Sequence, residues 1–543
     1  MISGREGEPT DVYFLGGQAE LPAVEPDVVG AKGHDLIRLS RLGLSVPPGV
    51  ILSTALCRRY LSLGDRARAG ILQLLGSSIR RLEALTGRAF GGSRRPLLVS
   101  VRSGAPVSMP GMMDTVLDVG LNDTSVQGLL RMTGNPRLAW DSYRRLVQSF
   151  AVVVRGCSAE PFEQAFRKHA PEVASEAVWL DTEALKKLTR ESLGLVSAIT
   201  GTPFPQSPLE QLSASVEAVF RSWNSPRAVA YRRMHGIPDD TGTAVTIQMM
   251  VFGNSGVTSG SGVGFTRDPA TGANELYLDF VFDAQGEDVV SGSKTVRDSS
   301  RFSRALPLVR SELEGVKSSL EKEFGDVQDF EFTVEEGRLY LLQTRAAKRT
   351  PWAALRIATD LVHEGLIDPD TALERLSTYD LKRIERWRLA SDPGPPLTNG
   401  TPASMGVVSG AVAFDAERAQ GIARSGRKVV LVREEASTQD IAGLAASDAL
   451  VTARGGRTSH AAVVARQLGK VCVVGCSSLR IDTEHRRCSI GDRTLSEEDV
   501  VTVDGDDGRI YSGRLDWYVE KPSDALAEIE RWTAARRPSR ERT

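Results

Sequence analysis

The stretch that most constrains this chain is an apolar run, Ala449-Leu450-Val451-Thr452-Ala453, that breaks into Gly455-Gly456-Arg457-Thr458-Ser459-His460 and resumes as Ala461-Ala462-Val463-Val464-Ala465-Arg466. Two adjacent glycines permit a tight turn with positive φ. Thr458 or Ser459 then caps a helix over Ser459 to Leu468 that Gly469 stops. Val471–Val474 reads as the next strand and Lys428 to Arg433 as an earlier one, so the region is an alternating α/β unit. His460 therefore falls in the first turn of a helix, at the mouth of a loop. An imidazole there can attack phosphorus while first-turn N–H groups and the helix dipole stabilise the phosphate it acquires. A histidine that merely starts a helix is the alternative; the double glycine, the hydroxyl pair and the small-residue helix face favour the nucleophile.

The 543 residues allow about three or four domains at roughly 150 residues each. Leu97 to Val101 is a strand candidate ending at Arg102. A helix-rich stretch covers about 116–200; within it Asp141 to Phe150 carries apolar residues three and four apart. Thr243 to Phe252 returns to β character. The glycine-broken stretch Thr241 to Thr266 reads as strands and a flexible loop rather than a membrane span. Phe330 to Gln343 reads as a hairpin turning at Glu336-Gly337. Pro351 to Leu376 is a helical connector, and Ser391-Asp392-Pro393-Gly394-Pro395-Pro396 is the expected main boundary and a candidate hinge. Ser523 to Trp532 forms a short helix, and Arg536 to Thr543 is expected to fray.

Apolar residues make up 41% and charged residues 25%, which excludes a wholly disordered or fibrous chain. With 67 basic against 69 acidic residues the net charge is −2, so no global basic field recruits nucleic acid. Five scattered cysteines (Cys57, Cys157, Cys472, Cys476, Cys488) form no disulfide framework and fit a reducing cytoplasm. No apolar leader opens the chain, so the expectation is a soluble, cytoplasmic protein without a membrane segment. Cys472 and Cys476 have no second Cys/His pair at zinc spacing.

Further chemistry sits on the hairpin. In Asp329-Phe330-Glu331-Phe332 the period of two puts both carboxylates on one face and both rings on the other. Two such carboxylates suit Mg²⁺, which prefers hard oxygens and bridges phosphates; an amphipathic surface hairpin is the bland alternative. Gln343 and Arg345 lie two apart on the returning strand. Arg102, at a strand end beside a Gly/Met loop, can grip a phosphate bidentately. Lys32, in Val29-Gly30-Ala31-Lys32-Gly33, suits a point-charge phosphate contact, although this is not a Walker loop. His34, His169, His235, His363 and His485 have no comparable context and read as surface or packing residues.

The segment Gly455 to Gly475 resembles the phosphohistidine signature of enzymes that use phosphoenolpyruvate, and most of all the pyruvate, phosphate dikinases. Val99 to Ala105 with Ser108 to Thr115, Phe265 to Gly272, and Ala284 to Val290 are similar to the same family's nucleotide domain, in the same order. The resemblance covers nearly all of residues 11 to 515. It implies an α/β multidomain protein: an ATP-grasp-type nucleotide-binding domain over 1–350 with a helical insertion at about 116–200, a connector and hinge over 351–395, a swivelling β/α/β phosphohistidine domain over 396–515, and a terminal helix and tail over 516–543. It implies Mg²⁺ with ATP as cofactor, Asp329 and Glu331 as metal ligands, and Lys32, Arg102, Gln343 and Arg345 around the nucleotide. Ser108 to Asp114, with Gly111, resembles the mobile loop over the phosphates, though its methionines also suit core packing. Arg144 and Arg267 are candidate phosphate contacts that Glu287 and Asp288 would orient; structural ion pairing is the alternative for these four. Thr458 matches a threonine that a regulatory kinase modifies in some relatives.

The implied reaction phosphorylates His460 from ATP and inorganic phosphate, giving AMP and pyrophosphate, and passes the phosphoryl group to pyruvate or another acceptor. Full-length dikinases continue into a TIM barrel of about 250 residues, whereas 28 residues follow Leu515 here; the acceptor site is expected on a separate chain. A phosphoenolpyruvate synthase-like enzyme using water, or a non-catalytic phosphocarrier or regulatory protein, is the alternative. An antibiotic phosphotransferase is disfavoured, because 351–395 is too short for a drug-binding domain. The family usually has glycine at Ala31 and methionine at Arg457. A cation at Arg457 is expected either to help hold a phosphate or to lower the imidazole pKa.

Overall fold

The structure is a computed structural model. It describes residues 11–540 except 17–22, 108, 110–112, 170–179, 291–298, 392, 436–439, 458, 484 and 491–492. The chain forms two compact units: residues 1–256 with 334–344, and residues 257–333 with 345–543.

The first unit is built on a five-stranded antiparallel sheet with strands in the order Val12–Leu15, Gly49–Leu52, Ala244–Met249, Val99–Gly104 and Thr115–Val119. Its central strands are buried on both faces: Gly49–Leu52 is a continuous apolar run, whereas Ala244–Met249 alternates and buries Thr246 and Gln248 as well. Val50, Val101 and Ile247 share one core with the helices Arg68–Thr86, Pro136–Ser149, Thr182–Thr200 and Pro208–Ser222. Helix starts follow capping chemistry: Asn135, Asp181 and Ser207 each accept a backbone N–H from three residues on, and prolines follow Asn135 and Ser207 at the first helical position.

In the second unit the strands Gly260–Phe265 and Tyr277–Phe282 pair antiparallel, and Gln328–Glu335 runs beside the first of them. The Glu336-Gly337 turn of the hairpin, which belongs to the first unit, has φ of +49° and +78°, the left-handed pair expected of a two-residue type I′ turn. Gly260, Gly262 and Gly264 lie in a fully buried strand, one of the strands expected of this glycine-broken stretch. A β-carbon on them would meet the rings of Phe280, Phe332 and Phe330 at 2.2, 2.6 and 2.3 Å. The glycines are there because aromatic side chains of the neighbouring strands fill their space.

The helices Pro351–His363 and Pro369–Leu376 follow, then an eight-stranded sheet. Within it Val407–Ala413, Val429–Arg433, Ala449–Thr452 and Val471–Val474 run parallel in that order. The helix Ala416–Arg424 connects the first two of these and the helix His460–Gln467 the last two, as parallel pairing requires. The helix Ser523–Arg540 is longer than expected and packs Ile529 against Leu355, Ala372 and Leu376 of the connector. The Pro-rich break is not the division between the two units. The reason is non-local. Arg386–Leu389 before the break pairs antiparallel with Trp517–Glu520 after the eight-stranded sheet, and Trp387 stacks on Trp517 with centroids 4.3 Å apart. Among the described residues no helix is long and apolar enough to cross a membrane.

Gly264→Val should lower unfolding stability by about 2 kcal/mol or more, because the added carbons overpack the Phe330 ring. Urea denaturation followed by fluorescence measures this; an unchanged midpoint contradicts the packing described.

Candidate functional site

His460 is the first residue of the helix that leaves the C-terminal edge of the buried strand Ala449–Thr452. Gly455 takes φ +102°. The Ser459 N–H donates to the Gly456 carbonyl (3.0 Å), closing the turn. The Ala462 N–H donates to Ser459 Oγ (3.4 Å), so Ser459 is the cap. Thr458 lies outside the described residues. The small-residue face expected of this helix is its packing face: Ala462 and Ala465 are fully buried against Leu431, Leu450 and Val474.

Two arginines flank His460. Arg457 Nη1 donates to Asp268 Oδ2 at 2.9 Å, and its guanidinium carbon lies 4.4 Å from the Tyr277 ring centroid. The expected phosphate or imidazole role thus gives way to a carboxylate and an aromatic face on the Phe265–Tyr277 hairpin. Arg466 is fully buried. It donates to the Ala403 carbonyl at 3.0 Å and lies 5.7 Å from the Phe265 ring. Burial pulls its pKa below the usual guanidinium range.

On the strand Gln328–Glu335 the rings of Phe330 and Phe332 enter the core, while Asp329 is buried and Glu331 half-buried on the other face. Arg345 Nε donates to both Asp329 oxygens at 3.0 and 2.8 Å. Burial raises the Asp329 pKa, and the charges of Arg345 and, more weakly, Arg466 oppose the rise. Among the described residues no three His, Cys, Asp or Glu side chains converge on a metal site. The Asp329–Glu331 pair nevertheless has the donor chemistry Mg²⁺ prefers, two hard carboxylates that leave the remaining positions to phosphate and water.

In the first unit Gly30 breaks the helix Pro26–Arg41 with φ +72° and ψ 159°. A β-carbon there would lie 1.8 Å from the Gly104 carbonyl oxygen, a contact only glycine tolerates. The Ala31 N–H donates to the Ala105 carbonyl at 3.0 Å. This close approach puts the Lys32 backbone beside the end of the strand Val99–Gly104, which carries the half-buried Arg102. The two cations picked out separately in sequence are therefore neighbours in the fold. Gln343 is half-buried on the strand Arg338–Ala346. Gly111 lies outside the described residues, and Met109 packs in a small core with Ala105, Trp223 and Ala228.

The remaining candidates fall elsewhere. Arg144 binds Asp141 at 2.7 and 3.0 Å and Gln148 at 3.1 Å. Burial works against ionisation of Asp141, but Arg144 and Arg145 hold its pKa at about 2. Arg267 is fully buried and clamped by Glu321 (3.0 and 2.8 Å) and Glu364 (3.0 and 2.5 Å). Both arginines make structural ion pairs: Arg267 with two carboxylates, Arg144 with one carboxylate and the Gln148 amide oxygen. Asp288 accepts the Gln285 N–H at 3.2 Å, and Glu287 lies on the helix Gly286–Val290 with it. His34, His169, His363 and His485 each pair with a nearby carboxylate, and His235 stacks on Tyr231. Cys472 and Cys476 are buried thiols pushed up to about 12. Sequence reasoning missed Asp268 and Tyr277 as partners of Arg457. The departure at Arg457 was visible, but the partner lies 189 residues away.

Family models match two segments: "Pyruvate phosphate dikinase, AMP/ATP-binding domain" over residues 69–314 and "PEP-utilising enzyme, mobile domain" over 426–508. The pyruvate, phosphate dikinase of Rhizobium meliloti (strain 1021) is 42% identical over 98% of this chain and 61% of its own length. That of Clostridium symbiosum is 42% identical over 95% of the chain and 60% of its own length, and that of Giardia intestinalis 40% over 96% and 60%. The chain thus spans about three fifths of the length of these relatives. With both segments matched in order and this identity sustained almost end to end, the chain belongs to the pyruvate, phosphate dikinase family.

Proposed function

We propose that this chain carries out the nucleotide half of a dikinase reaction, with His460 as phosphoryl acceptor and ATP as donor. The observation that supports it most is local to the second unit. The helix beginning at His460 packs toward the strand layer that carries Asp329 and Glu331, through Arg466 at Phe265 on the neighbouring strand. Nucleophile segment and carboxylates are thereby held in one compact body.

In this reading an imidazole nitrogen of His460 attacks the β-phosphorus of ATP. The bond from that phosphorus to the bridging oxygen breaks and AMP leaves. An oxygen of inorganic phosphate then attacks the terminal phosphorus, pyrophosphate leaves, and one phosphoryl group stays on His460. Lys32 and Arg102 neutralise phosphate charge, Gln343 orients the nucleotide, and Arg345 fixes the Asp329 carboxylate through both of its oxygens. Asp329 and Glu331 would hold Mg²⁺, which supplies charge neutralisation on the polyphosphate. First-turn N–H groups of the His460 helix stabilise the acquired phosphoryl group. Pyruvate, or another acceptor on a separate chain, then takes it. The free cysteines fit a reducing cytoplasm.

Incubation with β-labelled ATP, Mg²⁺ and phosphate should give acid-labile label on the wild type, release pyrophosphate, and give none on His460→Ala. Label retained by that variant contradicts the assignment; orthophosphate as the sole second product favours the water-using alternative. Asp329→Asn should slow labelling on the order of 100-fold, and chelation of Mg²⁺ should stop it until the ion is returned. Labelling unaffected by both excludes the metal role of this carboxylate.

A further inference from the structure

Arg457 precedes His460 by three residues and makes its ion pair with a loop far away in sequence. Both partners are largely covered, with side-chain exposures of 13% and 17%, so salt and water screen the pair less than a surface bridge. Asp268 is held rigidly. Its Oδ1 accepts the Ala270 and Thr271 N–H groups at 2.7 and 3.0 Å, which leaves Oδ2 for Arg457. The loop is closed by Gly272 N–H to the Asp268 carbonyl (2.8 Å) and Asp268 N–H to the Ala273 carbonyl (3.0 Å). Beside it the Tyr277 ring lies under the guanidinium, its hydroxyl donating to Asp279. Burial keeps that phenol neutral by raising its pKa well above the usual value. Arg466 adds a second guanidinium on the same side, but its Nε and Nη2 meet no acceptor among the described residues. Arg466 therefore supplies packing, whereas the Arg457–Asp268 pair supplies direction.

We infer that Arg457 is a positioning residue: its ion pair with Asp268 and its stacking on Tyr277 register the His460 turn against the Phe265–Tyr277 hairpin for phosphoryl acceptance. The contact stands on geometry alone; its catalytic consequence rests on the function proposed above. A guanidinium whose Nη1 is committed to a carboxylate contributes through the placement of its neighbour. For His460 to deliver its phosphoryl group elsewhere the pair must open, so it favours the loading conformer over the delivering one. Methionine at this position keeps apolar contact with Tyr277 and loses the directional bond.

The test compares wild type with Arg457→Met, Arg457→Lys, Asp268→Arg, Arg457→Asp and the double variant Asp268→Arg/Arg457→Asp. Two readouts are used: the labelling rate of His460 from β-labelled ATP at saturating nucleotide, and amide hydrogen exchange in residues 266–277 and 459–467. Arg457→Met and each single charge reversal should slow labelling about tenfold or more and speed exchange in both segments. KM for ATP should be unchanged, Arg457→Lys should be intermediate, and the double reversal should recover most of both losses. Exchange and rate equal to wild type in Arg457→Met, or a double reversal no better than the singles, overturns the inference. If the wild type takes no label, the proposed function fails, and the exchange data still decide whether the pair holds the two segments together.

Discussion

A helix that starts at the C-terminal edge of a buried parallel strand has one direction in which its first-turn N–H groups can point, and that constraint organises this protein. Ala449–Thr452 is paired on both sides, with Val429–Arg433 and with Val471–Val474. The chain leaving it must therefore cross over through a helix before the next parallel strand begins. Gly455 supplies the turn, Ser459 the cap, and Ala462 and Ala465 the packing face. With those four positions set, His460 has no other place than the helix start. A residue carried on a strand–turn–helix of this kind is placed by the fold itself.

Around that frame the chain uses arginines in two distinct ways. Arg144, held by Asp141 and Gln148, and Arg267, held by Glu321 and Glu364, serve as structural ties. A fully buried guanidinium with two acidic partners contributes fixed geometry more than net stability. Arg345 opposes the burial that raises the Asp329 pKa and binds both of its carboxylate oxygens. Arg457 joins segments far apart in sequence. The same residue type thus marks a tie, an electrostatic tuner or a positioning contact according to what lies opposite its guanidinium.

This explains what could be read from the sequence and what could not. Local chemistry was legible. The Glu336-Gly337 turn, the Ser459 cap, the alternation at Asp329 to Phe332 and the strand at Val471–Val474 each depend on residues within a few positions of one another. Pairings across long separations were not. Arg267 meets Glu321 and Glu364 at separations of 54 and 97 residues. The Trp387–Trp517 stack bridges the Pro-rich break that looked like the main boundary. Nothing local showed why glycine stands at 260, 262 and 264, because the phenylalanines that fill their space come from other strands. The adjacency of Lys32 to the Arg102 strand was hidden for the same reason: it depends on Gly30 meeting the Gly104 backbone.

The most direct measurement of the central claim is peptide mass spectrometry under neutral, cold conditions on protein exposed to ATP, Mg²⁺ and inorganic phosphate. A single phosphoryl group on the peptide containing His460, absent without ATP and lost on brief acid treatment, is the result expected of this fold. An unmodified His460 peptide after full turnover of ATP, or an acid-stable group on a hydroxyl side chain instead, would contradict it.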